Sequence, residues 1–333
     1  MARPFRTLTL LIAALLLASA TAQREGWPSS LTIGTASVGG NYFIYGGGWA
    51  NLIQQELGVS TSTEVTGGPN QNMLLVQNQN VELGMVTMGP AWEGWTGEGD
   101  WTGGVEMRDV RALFPMYGTP FHIITLAGSG IDTVEGLQGR AVGVGPAGGT
   151  PGTYFPRFFE QLGIDIRVRQ AGASDLASQL MDGQIDGFAF AAGIPIASFL
   201  EIEAQRSANI FTFDEEQQEQ LLEAFFYLGP DTIPASAYTS LDEDLVTVGM
   251  YNVAIGHADL PEDFVYEMVK TVLENQQFLI DTHQSAEETV PENMLPNNAF
   301  LWLHPGAIRY FEEIGISIPE ALIPPEYSPA AGN

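Results

Sequence analysis

Short apolar runs alternate along the chain with longer stretches in which apolar residues recur every three or four positions. The first series reads as a strand at 31–33, a glycine-rich turn and a helix at 44–57. A strand at 61–65, the turn Thr66-Gly67-Gly68-Pro69-Asn70 and a helix at 71–78 follow, with Met73, Leu74 and Val76 on the apolar side of that helix. A strand at 81–86 then runs into a loop holding Trp92, Trp95 and Trp101, and two further strands are expected at 110–114 and 121–126.

A second series of the same form begins with helical character from Thr133 and a strand at 140–144. Next come a second glycine turn, a helix at 154–162, a strand at 166–170 and a helix at 173–181 capped by Ser174 or Asp175. A strand at 185–190 closes the series at Ala191-Ala192-Gly193-Ile194-Pro195. The order turn, helix, strand, helix, strand thus occurs twice with unrelated residues, the pattern of an α/β sheet with parallel members. A strand-like run at 247–255 and a long helix at 261–281, with Phe264, Val265, Met268, Val269 and Val272 on one face, carry the chain back towards the first series. Two connections, near 121–126 and 247–255, would form a hinge between two lobes. The proline-rich end, 324–333, reads as a tail.

The N-terminus stands apart from this pattern. Arg3 and Arg6, the apolar stretch from Leu8 to Leu17 and the small residues Ala20-Thr21-Ala22 form a secretory leader, with cleavage after Ala22. The apolar stretch is well short of the roughly 20 residues that a spanning helix needs. The mature chain of about 310 residues is longer than one core usually organises, which again suggests two lobes. It contains no cysteine, so neither disulfides nor a lipidated cysteine is available, and a soluble periplasmic protein is expected.

Charge narrows the partners. The net charge of −28 comes from 40 acidic and 12 basic residues, with Lys270 the single lysine. Such a surface repels nucleic acid and anionic lipid. It suits salty surroundings, where screening over a Debye length of roughly 3–10 Å tames self-repulsion.

The two glycine turns carry the candidate chemistry. They are Gly34-Thr35-Ala36-Ser37-Val38-Gly39-Gly40-Asn41-Tyr42 and Gly143-Val144-Gly145-Pro146-Ala147-Gly148-Gly149-Thr150-Pro151-Gly152-Thr153. Each offers backbone N–H groups and small hydroxyls at a helix start, where the partial positive charge favours anions. Gly143, Gly145 and Gly148 fit a dinucleotide fingerprint, with Asp165 near the spacing of its ribose-binding acid. An exported chain does not meet free dinucleotide, and no cofactor is expected. His122, His257, His283 and His304 are scattered singly, and no zinc or calcium ligand spacing is present. Ser37 lies in only a loose likeness of a nucleophile elbow and would need a histidine partner to act. The tryptophans serve either ordinary packing or a ligand wall, Trp92 being best placed for the latter.

Taken together, the first turn, the segment 66–72, Leu137-Gln138-Gly139-Arg140-Ala141-Val142 with Gly145-Pro146, and His304-Pro305-Gly306-Ala307-Ile308-Arg309-Tyr310 resemble the solute receptors of TRAP transporters, in the TAXI family. The resemblance runs from about residue 31 to 323. It implies a type II periplasmic-binding-protein fold with a hinge of two crossing strands, lobe one at 23–120, lobe two at 121–248, and a return to hinge and lobe one at 249–323. It also implies a monomeric, non-catalytic receptor that closes over a small carboxylate-bearing solute and docks on an ion-gradient-driven permease. Thr87-Met88-Gly89 stands where the family often has Gln-Ser-Asp, and Gly148-Gly149-Thr150-Pro151 where it often has Gly-Ser-Gly-Thr.

The expected walls follow. Thr35, Ser37, Gly40, Asn41 and Tyr42, with Gly68 and Asn70, form one side, and Thr87, Met88 and Trp92 come from the third strand end. Gly149, Thr150, Thr153, Ala191 and Gly193 oppose them. Two alternatives use the same cleft: an exported hydrolase with Ser37 as nucleophile, and a binding protein that serves a sensor.

Overall fold

A computed structural model describes residues 26–328. The leader expected at 1–22 and the last residues of the tail lie outside the described residues. The first series comprises β1 (Ser30–Gly34), α1 (Asn41–Leu52), β2 (Ser60–Glu64), α2 (Pro69–Gln77), β3 (Leu83–Thr87) and α3 (Met88–Thr96). A long strand, β4 (Val110–Leu126), leads to β5 (Ala141–Gly143), α4 (Thr150–Gln161), β6 (Arg167–Arg169), α5 (Ala173–Met181) and β7 (Gly187–Ala191). Then come α6 (Ala197–Gln205), β8 (Ala208–Phe211), α7 (Glu215–Ala224), β9 (Gly229–Ile233) and β10 (Leu245–His257). The chain ends with α8 (Glu262–Glu274), α9 (Gln276–Thr282), α10 (Met294–Asn297) and α11 (Pro305–Glu313).

The strands follow the order β2-β1-β3-β10-β4-β7-β5-β6, with β8 beside β4 and β9 beside β10. In each half the middle strand, β1 or β5, pairs in parallel with the two strands that follow its helices. The halves therefore repeat one local topology. β4 and β10 run antiparallel to each other and to their neighbours, and both contribute to both halves. Val110–Tyr117 of β4 packs into the first core with Val253–Ile255 of β10, whereas Phe121–Ile124 packs into two smaller cores with the second series. Two lobes joined by two crossing strands result.

Several expected boundaries move, each for a physical reason. The strands expected at 110–114 and 121–126 are one strand, because Pro115 and Gly118 flank a point where its pairing with β10 shifts register. A bulge tolerates residues that weaken a regular ladder. Trp92 and Trp95 of the expected loop lie on the helix α3 instead, and Trp101 lies in a 3₁₀ turn at Asp100–Thr102. Gly89 and Gly94 of α3 read as turn residues, yet they let other side chains approach: a Cβ at Gly89 would lie 2.6 Å from the Tyr154 hydroxyl and one at Gly94 2.8 Å from Met73. The long C-terminal helix breaks at Asn275, whose side chain turns back to the Thr271 carbonyl at 2.8 Å. Its predicted apolar face is buried throughout. Neither Ser174 nor Asp175 caps α5, whose N-cap is Gly172. From Thr133 onwards there is only a 3₁₀ turn, Glu135–Leu137.

Candidate functional site

Helices α1, α2, α3, α4 and α5 each begin directly after, or a few residues beyond, the C-terminal end of a strand. Their N-cap residues are Gly40, Gly68, Thr87, Gly149 and Gly172, and none makes a side-chain capping bond. Uncapped first turns leave N–H groups and dipole ends pointing outward. The crevice outside the carboxyl ends of the strands is where open α/β sheets take ligands.

Four of these helix starts, those of α1 to α4, converge on one cavity of about 40 Å³ between the lobes. A single water needs roughly 10–15 Å³ of such space, so the cavity suits an occupant of a few atoms. Lobe one supplies Ala36, Ser37, Gly40, Asn41, Tyr42, Pro69 and Thr87, and lobe two supplies Pro146, Gly149, Thr150, Pro151 and the end of β7 at Phe190–Ala192. The floor is made by the hinge strands, through Thr119 of β4 and Asn252 of β10.

Polar bonds fix that floor. The Tyr42 hydroxyl donates to Asn252 Oδ1 at 2.6 Å, and Asn252 Nδ2 donates to the Tyr117 carbonyl at 2.6 Å and to Thr119 Oγ1 at 2.5 Å. Burial raises the Tyr42 phenol well above its ordinary pKa, so it remains a donor. The walls also touch each other. Thr87 Oγ1 and Thr150 Oγ1 are 2.7 Å apart, the Asn70 N–H donates to the Gly148 carbonyl at 3.1 Å, and Asn70 Nδ2 donates to Thr153 Oγ1 at 3.2 Å. The Ser174 N–H meets the Val38 carbonyl at 3.3 Å on the other flank. The lobes are closed.

The electrostatics of the cavity are unusual for so polar a chain. Among the described residues no Asp, Glu, Lys, Arg or His lines it. Asn41 Nδ2 donates to Ser285 Oγ at 2.7 Å, but Asn41 Oδ1 is buried without a hydrogen-bond partner, as is Asn70 Oδ1. Helix ends offer donors, and Asn41 offers an acceptor.

A family model described as the NMT1-like family matches residues 33–315, which span every element just described as lining the cavity. The chain belongs to the NMT1-like family. Solved structures agree on the fold of this NMT1-like chain. It is similar to the periplasmic binding protein BugD, at 12% identity and a TM-score of 0.56, over 87% of this chain and 99% of that one. An ancestral arginine-binding protein bound to arginine matches with 12% identity and a TM-score of 0.50, over 76% of this chain and 97% of that one. The protein Tv2483, bound to L-arginine, gives the same identity and TM-score over 82% and 95%. The fold is that of type II periplasmic binding proteins.

In this NMT1-like protein Ser37, Gly40, Asn41, Tyr42, Thr87, Gly149, Thr150 and Ala191 all line the cavity. The other expected residues lie elsewhere. The Thr35 hydroxyl turns to the Glu64 carbonyl at 2.7 Å, away from the cavity. Gly68 abuts Gly149, so that a Cβ on it would lie 2.8 Å from the Gly149 Cα; its φ of +113° also suits glycine. Asn70 and Thr153 pair with each other across the gap. A Cβ at Gly193 would lie 2.1 Å from Asn41 Nδ2, so Gly193 makes room for a lining residue. Met88 lines a groove behind the hinge, and Trp92 packs on Phe226 and Phe300 with ring centroids 5.0 and 5.1 Å away.

Sequence reasoning missed Thr119, Asn252 and Phe190, and also Ala36, Pro69, Pro146, Pro151 and Ala192, which neighbour expected residues in the glycine turns and at the end of β7. Asn252 had a signal, a polar residue inside the apolar run of β10; Thr119 and Phe190 had none. Ser37 Oγ accepts from the Ala173 N–H at 3.3 Å. All four histidines are engaged elsewhere: His122 with Pro120 and Tyr238, His257 with Gln79 and Asp259, His283 with Ser285 and Pro195, and His304 with Leu260 and Gly306. Among the described residues no group of three or more His, Asp or Glu side chains could hold a metal, and no helix is long and apolar enough to cross a membrane.

Proposed function

We propose that this protein is a periplasmic receptor that captures a short solute between lobes at 23–120 with 249–323 and at 121–248, and acts without catalysis. The convergence of four uncapped helix starts on a small cavity carries the reading. Such ends stabilise negative charge by roughly 0.3–1 kcal/mol each, and by more where water is excluded. A singly charged carboxylate needs no more than this. The ammonium of an amino acid would find no carboxylate partner, and the second charge of a dicarboxylate no arginine. The partnerless Asn41 Oδ1 asks the solute for an O–H or N–H. A short monocarboxylate with a hydroxyl or amide donor meets both demands. The hydrolase alternative lacks its base, since each histidine serves another partner.

Delivery to an ion-gradient-driven TRAP permease is proposed on the motifs that resemble the TAXI receptors. The tests separate the two claims. In a thermal-shift series, glycolate or lactate should raise the melting temperature with concentration, by mass action, while arginine, glutamate and succinate do not. A shift with the amino acids alone would remove the solute assignment, and no shift with any solute would remove the receptor. In proteoliposomes holding a candidate TRAP permease, uptake should follow an imposed ion gradient without nucleotide. Uptake that requires ATP would remove the TRAP assignment.

A further inference from the structure

Two adjacent residues of α3 reach from lobe one to lobe two outside the solute cavity. Glu93, 6% exposed, accepts from the Tyr154 hydroxyl at 2.9 Å and forms an ion pair with Arg157, both on α4. Its second oxygen accepts from Trp101 Nε1 at 2.7 Å, which holds the carboxylate at the lobe boundary. Beside it, the ring of Trp92 stands edge-on to Phe226, which follows α7 in lobe two and is 64% exposed.

None of these side chains lines the cavity. A buried carboxylate whose partners belong to another body is costly once that body moves away, because an unpaired charge in a poorly solvated site loses its compensation. The cost would fall on the open form. A paired, partly buried contact is also less screened by salt than an exposed one.

We propose that Trp92 and Glu93 form a closing clasp that binds lobe two directly and sets how much closed receptor exists before any solute arrives. The proposal rests on the receptor reading for its biological meaning, but it concerns the lobes alone. Apparent affinity scales with the fraction of the binding-competent form, so a clasp of this kind tunes affinity for every solute by one common factor. Trp92, Glu93 and Arg157 are positioning residues in this scheme.

The chain has no cysteine, so two introduced cysteines can be labelled cleanly. Val65→Cys in lobe one and Val168→Cys in lobe two, at residues 55% and 37% exposed, would carry spin labels for pulsed distance measurement on the solute-free protein. The wild-type background should give a dominant short distance. Glu93→Gln, Arg157→Gln and Trp92→Ala should each move the closed-to-open ratio towards open by about tenfold, with unchanged circular dichroism. Should Glu93→Gln fail to fold, Arg157→Gln and Trp92→Ala decide, since both side chains are partly exposed. Wild-type distances in those two variants would overturn the clasp, and so would a wild type that is already mainly open. If no solute shifts the melting temperature while these distances still change, the receptor reading falls and the clasp stands.

Discussion

The hinge strands face two hollows, and the smaller one is the better site. In front lies the cavity of about 40 Å³, with no ionisable lining among the described residues apart from the Tyr42 phenol. Behind lies a groove of about 450 Å³ with Asp231, Glu288, Tyr227 and Tyr251 in its walls. Volume and charge favour the back. Yet its carboxylates already serve the fold: Glu288 accepts from the Gly118 N–H at 2.9 Å, and Asp231 from the Thr232 N–H at 2.8 Å. The front gathers four helix ends and the Asn41 amide oxygen, which the protein leaves without a partner. A site is made by convergent unmet polar groups, more than by space or charge.

Acid acts on buried histidines that line neither hollow, and this gives the largest expected effect. Among the described residues no carboxylate or histidine lines the front cavity and no histidine lines the back groove; His122 on β4 and His304 at the start of α11 are buried away from both, which lowers both from 6.5 to about 4. A histidine with a depressed folded-state pKa contributes stability that is present above its unfolded value. That stability is lost as pH falls from 6.5 towards 4. Denaturant unfolding should show a loss of about 3 kcal/mol per histidine over this range. A flat profile would contradict their neutral burial.

Next comes the front wall. Gly68→Ala places a methyl group against Gly149 where the lobes meet, and closure over glycolate should weaken by roughly 100-fold, read by calorimetry. Binding within two-fold of wild type would mean that this contact does not govern closure.

The back wall supplies the contrast. Burial raises Asp231 to about 6 from 3.8, with Glu288 adding to the effect. A carboxyl with a raised folded-state pKa costs stability when ionised, above about pH 6, and costs nothing below its unfolded value. Asp231→Asn should therefore gain about 1–2 kcal/mol at pH 8, after allowance for its partial exposure, and nothing at pH 4. Glycolate binding should be unchanged, and a loss of binding would make the back groove part of the site.

The smallest effect is the sharpest probe of wall-to-wall contact. Thr87→Val or Thr150→Val alone leaves one buried hydroxyl unpaired and should weaken closure by about 1 kcal/mol, while the double variant should recover most of it. Additive losses would show that the two hydroxyls do not depend on each other.

The sequence alone made the repeated strand, turn and helix order legible, because glycine turns and apolar spacing are local signals. It placed the buried face of α8 and eight residues of the cavity lining. It misread α3 as a loop, since Gly89 and Gly94 look like turn residues until Tyr154 and Met73 stand against them. It cut β4 in two across Pro115 and Gly118 because a bulge and a break share such residues.

What the sequence determined, then, is to within a few residues where α1, α2, α4 and α5 start: a glycine turn after a strand marks that locally, and each start brings its own dipole. Only the tertiary structure decided which starts meet. Gly68 opposes Gly149, Thr87 opposes Thr150, and Asn252 lies beneath both walls, because two strands far apart in sequence cross side by side. Such pairings depend on how lobes close around a hinge, and no stretch of neighbouring residues encodes that geometry by itself.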